Sequence, residues 1–216
     1  CQQWGITVLD LPTAYWHELA FALDGDTAVR AAWPEAIRLV IIGGEAALSE
    51  RLQRWKRHIP TNVTLLNTYG PTETTVICTT AVLAGPHAVS VDEGVPIGTP
   101  LPGIQLRIVN EWDEPLPIGQ IGQLCIQGPA LSSGYLGREA LTAQRFAPLP
   151  ADPALTRTYR TGDLVCINAQ GQLVFHGRID DEIKISGHRI DPSEVEVALL
   201  SHPDVIEVAV LGQALP

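Results

Sequence analysis

The sequence predicts an α/β chain. A parallel sheet interleaved with helices comes first, then a small antiparallel β-barrel, then the start of a small α+β unit. Three observations carry this. Across residues 1–88, short continuous apolar runs alternate with stretches of helical spacing, the pattern of βαβ units. Across 89–179 the apolar period falls to two, with turn-forming residues between the alternating segments. Across 180–216 a hairpin pattern leads into a strong helix start.

Residues 6–11 are a first apolar run, and Pro12 opens a helical stretch that continues through Leu19 and Leu23. A second run at 37–42 closes at Gly43-Gly44. Ser49 then stands at an N-cap, with Leu52, Trp55 and Ile59 following at helical spacing. A third run at 62–67 ends in a loop containing Gly70-Pro71. Strands this uniformly apolar imply a parallel sheet buried on both faces.

In the second block Ile104, Leu106 and Ile108 alternate with polar residues, as do Leu124 with Ile126 and Leu173 with Phe175. In the third, 182–185 and 188–190 read as a hairpin around Ser186-Gly187. Asp191, Pro192 and Glu194 supply an N-cap, a proline at the first helical position and an acid three after the cap. Val195, Leu199 and Leu200 give that helix its apolar face, His202-Pro203 stops it, and 205–211 reads as a last strand.

Composition narrows the function. The chain has 216 residues with 19 Gly and 17 Pro, above the ordinary ~12% share for the two together, which speaks against a plain helical bundle. A net charge of −10 argues against a nucleic-acid backbone or an anionic membrane as partner. No run approaches the ~18 apolar residues of a spanning helix. Cys1, Cys78, Cys125 and Cys166 stand singly, without the short spacing of a zinc site, which fits a reducing, cytoplasmic setting. No methionine is present. A chain opening at Cys1, with a last block shorter than the ~40 residues that fold alone, reads as part of a longer polypeptide that breaks off inside a domain.

Ligands of open α/β sheets bind beyond the carboxyl ends of the strands. The segments there are 10–13, 43–45 and 68–75, which offer glycine backbone, hydroxyls and carboxylates. The most informative is Asn67-Thr68-Tyr69-Gly70-Pro71-Thr72-Glu73-Thr74-Thr75, a turn with an aromatic face, several hydroxyls and one acid. Tyr159-Arg160-Thr161-Gly162-Asp163-Leu164, Gly177-Arg178-Ile179-Asp180 and Lys184-Ile185-Ser186-Gly187-His188-Arg189-Ile190 follow. Gly94-Val95-Pro96-Ile97-Gly98 and a stretch from Gly122 through Gly134-Tyr135-Leu136 lie between them.

In this order and spacing the motifs closely resemble the amino-acid adenylation domains of nonribosomal peptide synthetases. These belong to the adenylate-forming superfamily with acyl-CoA synthetases and luciferases. The resemblance covers essentially the whole chain. It implies a large α/β subdomain with a β-barrel part, followed by a mobile C-terminal subdomain. It also implies a two-step reaction: a carboxylate and ATP give an acyl-adenylate, and the phosphopantetheine thiol of a carrier protein then takes the acyl group. Neighbouring synthetase domains are the further partners.

Carried over by position, Glu73 holds Mg²⁺ and Thr72 touches the α-phosphate. Tyr69 lies against adenine, with Gly44, Glu45, Asn67 and Thr68 in the same slot and Phe175 opposite. Asp163 accepts from the ribose hydroxyls, and Arg178 sits beside ribose and phosphate. Asp180 matches the hinge, and Lys184 and Gly187 match the hairpin of the thiolation pose. Asp10, Ile41, Gly43, Thr68, Val76 and Ile77 match the substrate pocket, with depth at Gly43 and an acid at Asp10 that favours a basic or hydrogen-bonding side chain.

Bland readings stand beside some of these: Phe175 as core, Lys184 as a solvated edge lysine, Asp10 as a turn residue. The family's phosphate loop and C-terminal lysine have no counterpart in these residues, so the chain by itself is expected to bind ATP poorly and to be inactive. Gln123, Ser133, Ser186 and Asp191 are smaller departures. The rival readings are an acid–CoA ligase of the same superfamily and a non-catalytic nucleotide-binding fragment.

Overall fold

A computed structural model describes residues 1–150, 157–180, 183–185, 188–202 and 204–212, with the backbone alone at 183–185, 188, 189 and 193. Nine strands form one mixed sheet in the order β1-β2-β3-β4-β5-β9-β8-β7-β6. β1 (Val8–Pro12), β2 (Leu39–Gly43) and β3 (Thr64–Tyr69) are parallel. Their carboxyl ends are in register, with Pro12 opposite Gly43 and Gly43 opposite Thr68. β4 (Thr79–Ala84) returns antiparallel beside β3, and every pairing after it is antiparallel. The nine-stranded mixed sheet matches the α/β class read from the sequence.

The helices sit where apolar spacing put them. α1 (Thr13–Gly25) and α3 (Ser49–His58) follow β1 and β2, with a short α2 (Thr27–Ala31) between them. Trp16, Leu23, Leu52 and Trp55 pack on Val40, Ile42 and Leu65 of the sheet. The indole rings of Trp16 and Trp55 lie 6.1 Å apart, and Trp33 meets Trp55 edge-on at 5.4 Å. α1 begins directly after Pro12, and the Thr13 hydroxyl donates to the Gly43 carbonyl at 2.9 Å, fixing the helix start to the end of β2.

α3 departs from its expected start. Ser49 is already inside the helix, and Leu48 occupies the cap position without a side-chain cap bond. The Leu48 N–H instead donates to His17 Nε2 at 3.1 Å. Glu50 in the first turn and Lys56, Arg57 and His58 in the last oppose the helix dipole, which supports a helix lacking that cap. The parallel strands also differ from expectation, because burial alternates along them. Val40 and Ile42 are buried under the helices while Leu39 and Ile41 are only half-buried.

The antiparallel part comprises β5 (Pro96–Pro100), β6 (Gln105–Val109), β7 (Gly122–Gln127), β8 (Tyr159–Ile167) and β9 (Leu173–Arg178), with α4 (Glu139–Arg145) before β8. Ile97, Ile108, Leu124, Ile126, Val165 and Leu173 from all five strands share a second core. The sheet therefore curls, but among the described residues it does not close. β6 is an edge strand, and β5 pairs with β4 and β9, continuing the parallel strands. The expected small barrel is not seen as a closed one among the described residues, where these strands continue the first sheet. Gly98 permits the junction: at φ +96°, a side chain there would run into the Thr80 carbonyl.

β10 (Ile183–Ile185) and β11 (His188–Ile190) form the expected antiparallel pair, and the turn at Ser186-Gly187 lies outside the described residues. α5 (Pro192–Leu200) starts at the predicted proline. The predicted last strand is absent: 205–212 holds no strand, and Ile206 is 96% exposed. An apolar run becomes a strand only where an edge offers it backbone partners, and none of the described strands pairs with it.

Among the described residues no helix is long and apolar enough to cross a membrane. Trp55 is the joint between α3, α1 and Trp33. Trp55→Ala is expected to lower unfolding free energy by about 3–5 kcal/mol in denaturant titration.

Candidate functional site

The strand ends place the sequence motifs around one locus. After Tyr69 the chain makes a one-turn 3-10 segment, Thr72–Thr74, and enters Thr75 at φ 57° and Val76 at φ 71°. Left-handed backbone at two successive β-branched residues costs about 1–3 kcal/mol each and persists only where surroundings impose it. Those surroundings are visible. The Thr75 hydroxyl donates to the Ala130 carbonyl at 2.6 Å, the Ser132 N–H to the Glu73 carbonyl at 2.8 Å, and the Cys78 N–H to the Tyr69 carbonyl at 2.8 Å. Glu73 is thereby carried inward to 7% exposure.

Tyr69 extends from the same turn into a buried polar chain. Its hydroxyl donates to Asp163 Oδ2. Asp163, 2% exposed, stands opposite Arg178 in the β8–β9 ladder and accepts from its Nη1 at 2.5 Å. Arg178 grips Asp180 with Nε at 2.6 Å and Nη2 at 2.9 Å, and Arg145 from α4 reaches the same carboxylate at 3.4 Å. Thr161 anchors this part of β8: its hydroxyl donates to the Leu124 carbonyl at 2.8 Å and accepts from the Asp163 N–H at 2.9 Å. Burial and the neighbouring Asp163 push the Tyr69 phenol well above its ordinary value, so it remains a protonated donor. Asp163 lies behind Tyr69 and is not itself among the residues lining the two neighbouring cavities.

Two cavities meet at this locus. The first is lined by Gly44, Glu45, Ala46, Asn67, Thr68, Tyr69, Gly70, Ile97 and Phe175. It therefore brings together Gly44, Glu45, Asn67, Thr68, Tyr69 and Phe175, all singled out in the sequence. Phe175 both lines it and packs against the second core, so its two readings coexist. Asn67 has a structural bond as well, its amide donating to the Pro96 carbonyl at 2.9 Å.

The second cavity, of about 460 Å³, is lined by Asp10, Leu11, Pro12, Ile41, Gly43, Gly44, Thr68, Gly70, Val76 and Ile77. Asp10 is the one acid among them, and the strained turn is what puts Val76 on this wall. Gly43 is part of this lining, and its lack of a side chain is required there. A side chain there would collide with Thr68 Oγ1, which donates to the Ile42 carbonyl at 2.9 Å.

Thr72 is exposed beside the buried Glu73. Lys184 lies on β10, where the backbone alone is described, and Gly187 lies outside the described residues. Sequence reasoning missed Arg145 and Tyr135 as members of the site. The Tyr135 hydroxyl donates to Glu73 Oε1 at 2.5 Å. Burial, then the bond to Glu73, pushes its phenol far above the ordinary range. The only sequence signal was its place in the Gly134-Tyr135-Leu136 match.

Residues 1–136 match the family model described as AMP-binding enzyme. The chain belongs to the AMP-binding enzymes. Among their members, it is 51% identical over 215 residues to an isonitrile lipopeptide synthase of Streptomyces coeruleorubidus, covering 100% of this chain and 14% of that one. It is 37% identical over 209 residues to a dimodular nonribosomal peptide synthase of Bacillus subtilis, covering 96% of this chain and 9% of that one. The fold superposes with TM-score 0.80 at 25% identity on NpsA-ThdA, an artificially fused adenylation–PCP di-domain from Klebsiella oxytoca, covering 99% of this chain and 38% of that one. The chain thus spans a small part of the curated relatives it matches.

Burial works to raise the Asp180 carboxyl, but Arg178 and then Arg145 outweigh it and hold it below its ordinary value. A carboxyl depressed by folding stabilises above its unfolded pKa and loses that contribution as pH falls through the folded one. Arg145→Gln is expected to move the Asp180 titration upward in carboxyl-resolved NMR and to shift acid unfolding to higher pH.

Proposed function

We propose that this AMP-binding chain forms the nucleotide and amino-acid cradle of an adenylating ligase. In this reading the enzyme activates an amino acid with ATP and passes it to the phosphopantetheine thiol of a carrier protein. One observation carries the reading: the small aromatic-walled cleft and the acid-bearing cavity share Gly44, Thr68 and Gly70, so groups held at the two would be neighbours. The curated relatives are synthases by name, and the adenylation di-domain has the same fold.

Adenine lies between Tyr69 and Phe175, with the backbone of Gly44 and Glu45 beside it. Asp163 takes the ribose hydroxyls, and Arg178 balances the charge of Asp163 and Asp180 next to the phosphates. Thr72 directs its hydroxyl at the α-phosphate. An oxygen of the amino-acid carboxylate then attacks the α-phosphorus. The bond to the bridging oxygen breaks, and pyrophosphate leaves. In the second step the carrier thiol, giving up its proton, attacks the acyl carbon and AMP leaves. Phosphoryl chemistry of this kind is mostly positioning and charge neutralisation, which suits a site of buried, hydrogen-bonded groups.

Glu73 fits Mg²⁺ by its donor chemistry. It is a buried hard-oxygen ligand, and among the described residues no cluster of three or more His, Cys, Asp or Glu could hold a metal. One or two carboxylates with substrate phosphates is the arrangement Mg²⁺ ordinarily accepts. Bound there, the ion supplies charge neutralisation on the phosphates.

Asp180 serves as the hinge, and the β10–β11 pair, with Lys184 and Gly187, as the element that approaches for thiolation. On this reading 1–88 and 89–179 are the two parts of a large subdomain and 180–216 begins the mobile one. Four unpaired thiols suit a reducing cytoplasm.

In the full-length protein, Glu73→Gln is expected to lower amino-acid-dependent ATP–pyrophosphate exchange by at least about 100-fold. Retained exchange would remove the metal assignment. Asp10→Asn is expected to weaken exchange with amino acids bearing basic side chains by roughly tenfold or more, with little effect on apolar ones, in an exchange assay run across the amino acids.

A further inference from the structure

The segment that reaches Glu73 from the far side of the turn has no role in the reading above. The Ala130–Tyr135 stretch holds the turn at three points. Two are backbone-directed: Thr75 Oγ1 to the Ala130 carbonyl at 2.6 Å, and the Ser132 N–H to the Glu73 carbonyl at 2.8 Å. The third, Tyr135 Oη to Glu73 Oε1 at 2.5 Å, is the one that acts on the carboxylate itself.

The tyrosine is held from behind. Its ring meets Phe146 edge-on at 5.8 Å, Phe146 packs on Tyr159 at 5.0 Å, and the Arg157 guanidinium lies 4.4 Å over the Phe146 ring. Its N–H donates to Thr142 Oγ1 at 2.9 Å. A side chain at Gly134 would collide with that threonine, so the loop sits directly against α4. The two turn bonds would hold the backbone in place whatever the carboxylate did. A hydroxyl fixed by an aromatic stack sets the carboxylate's rotamer.

We propose that Tyr135 is a positioning residue that orients the Glu73 carboxylate for a divalent cation carried in with the nucleotide. This rests on the reading of Glu73 as the metal-holding acid. Partners of metal-ligating side chains typically contribute about 10–100-fold to metal affinity, whereas a purely structural bond would change stability without moving metal dependence.

The test compares Tyr135→Phe, Thr75→Val and Glu73→Gln in the full-length protein. Tyr135→Phe is expected to raise the Mg²⁺ concentration for half-maximal pyrophosphate exchange by roughly tenfold or more. It should also weaken Mn²⁺ binding, followed by electron paramagnetic resonance with a non-hydrolysable ATP analogue and so without turnover. AMP binding in EDTA should be unchanged. Thr75→Val, which loosens the turn by one clamp bond without touching the carboxylate, should shift the Mg²⁺ midpoint less than Tyr135→Phe does.

An unchanged midpoint and unchanged Mn²⁺ binding in Tyr135→Phe would overturn the proposal, as would equal shifts in Tyr135→Phe and Thr75→Val. If Glu73→Gln itself leaves Mn²⁺ binding intact, the metal assignment fails instead. Should Tyr135→Phe lose its fold, Phe146→Leu, which loosens the ring from behind, is expected to shift the midpoint in the same direction. A null result there would overturn the proposal equally.

Discussion

The hydrogen bond from Tyr69 to Asp163 spans 94 residues of sequence and joins the end of β3 to the middle of β8. Both partners are buried, and a buried carboxylate without donors is costly enough that the fold must bring donors to it. Tyr69 arrives from the parallel strands and Arg178 from the neighbouring β9, and through Arg178 the chain continues to Asp180 and Arg145. The position of one half of the sheet relative to the other is thus written into a polar chain that also lies beside the cleft. The Asn67 amide reaching the Pro96 carbonyl ties the same halves one turn earlier, across β4.

Apolar packing on either side makes that chain possible. The tryptophan-rich core under α1 and α3 includes Leu65 of β3, while Tyr69 at the end of the same strand belongs to the core of the curled sheet. β3 is therefore shared, and its final residues, Asn67 to Tyr69, stand where the two cores meet. That junction is where glycine, hydroxyl and aromatic groups can face a ligand without opening either core, so both cavities take their lining from it.

The turn after β3 spends conformational energy on orientation. Two β-branched residues in left-handed backbone are unfavourable in isolation, and the 130–135 loop holds them there. The result is a Glu73 buried on one side of the turn and a Val76 set into the second cavity on the other. Val76 lines that cavity while staying 70% exposed, so of the two side chains the turn buries the carboxylate.

The parallel strands, α1, α3, the β10–β11 pair and the start of α5 were legible because each is encoded by residues close in sequence: apolar period, a proline at a helix start, turn chemistry. The residues around both cavities were legible through the motifs that carry the family resemblance. The Ser49 cap, the strand at 205–211 and the closure of the antiparallel strands were not decided by local pattern, for a common reason. A cap can be replaced by a distant imidazole, a strand exists only where an edge accepts it, and closure depends on which strands β5 finds as neighbours. Tyr135 escaped for the same reason, since its partner lies 62 residues away. Sequence alone determined which chemical groups stand at the strand ends. Tertiary structure decided which hydroxyl meets which carboxylate, because such a pairing is stabilised by burial that no local stretch of chain supplies.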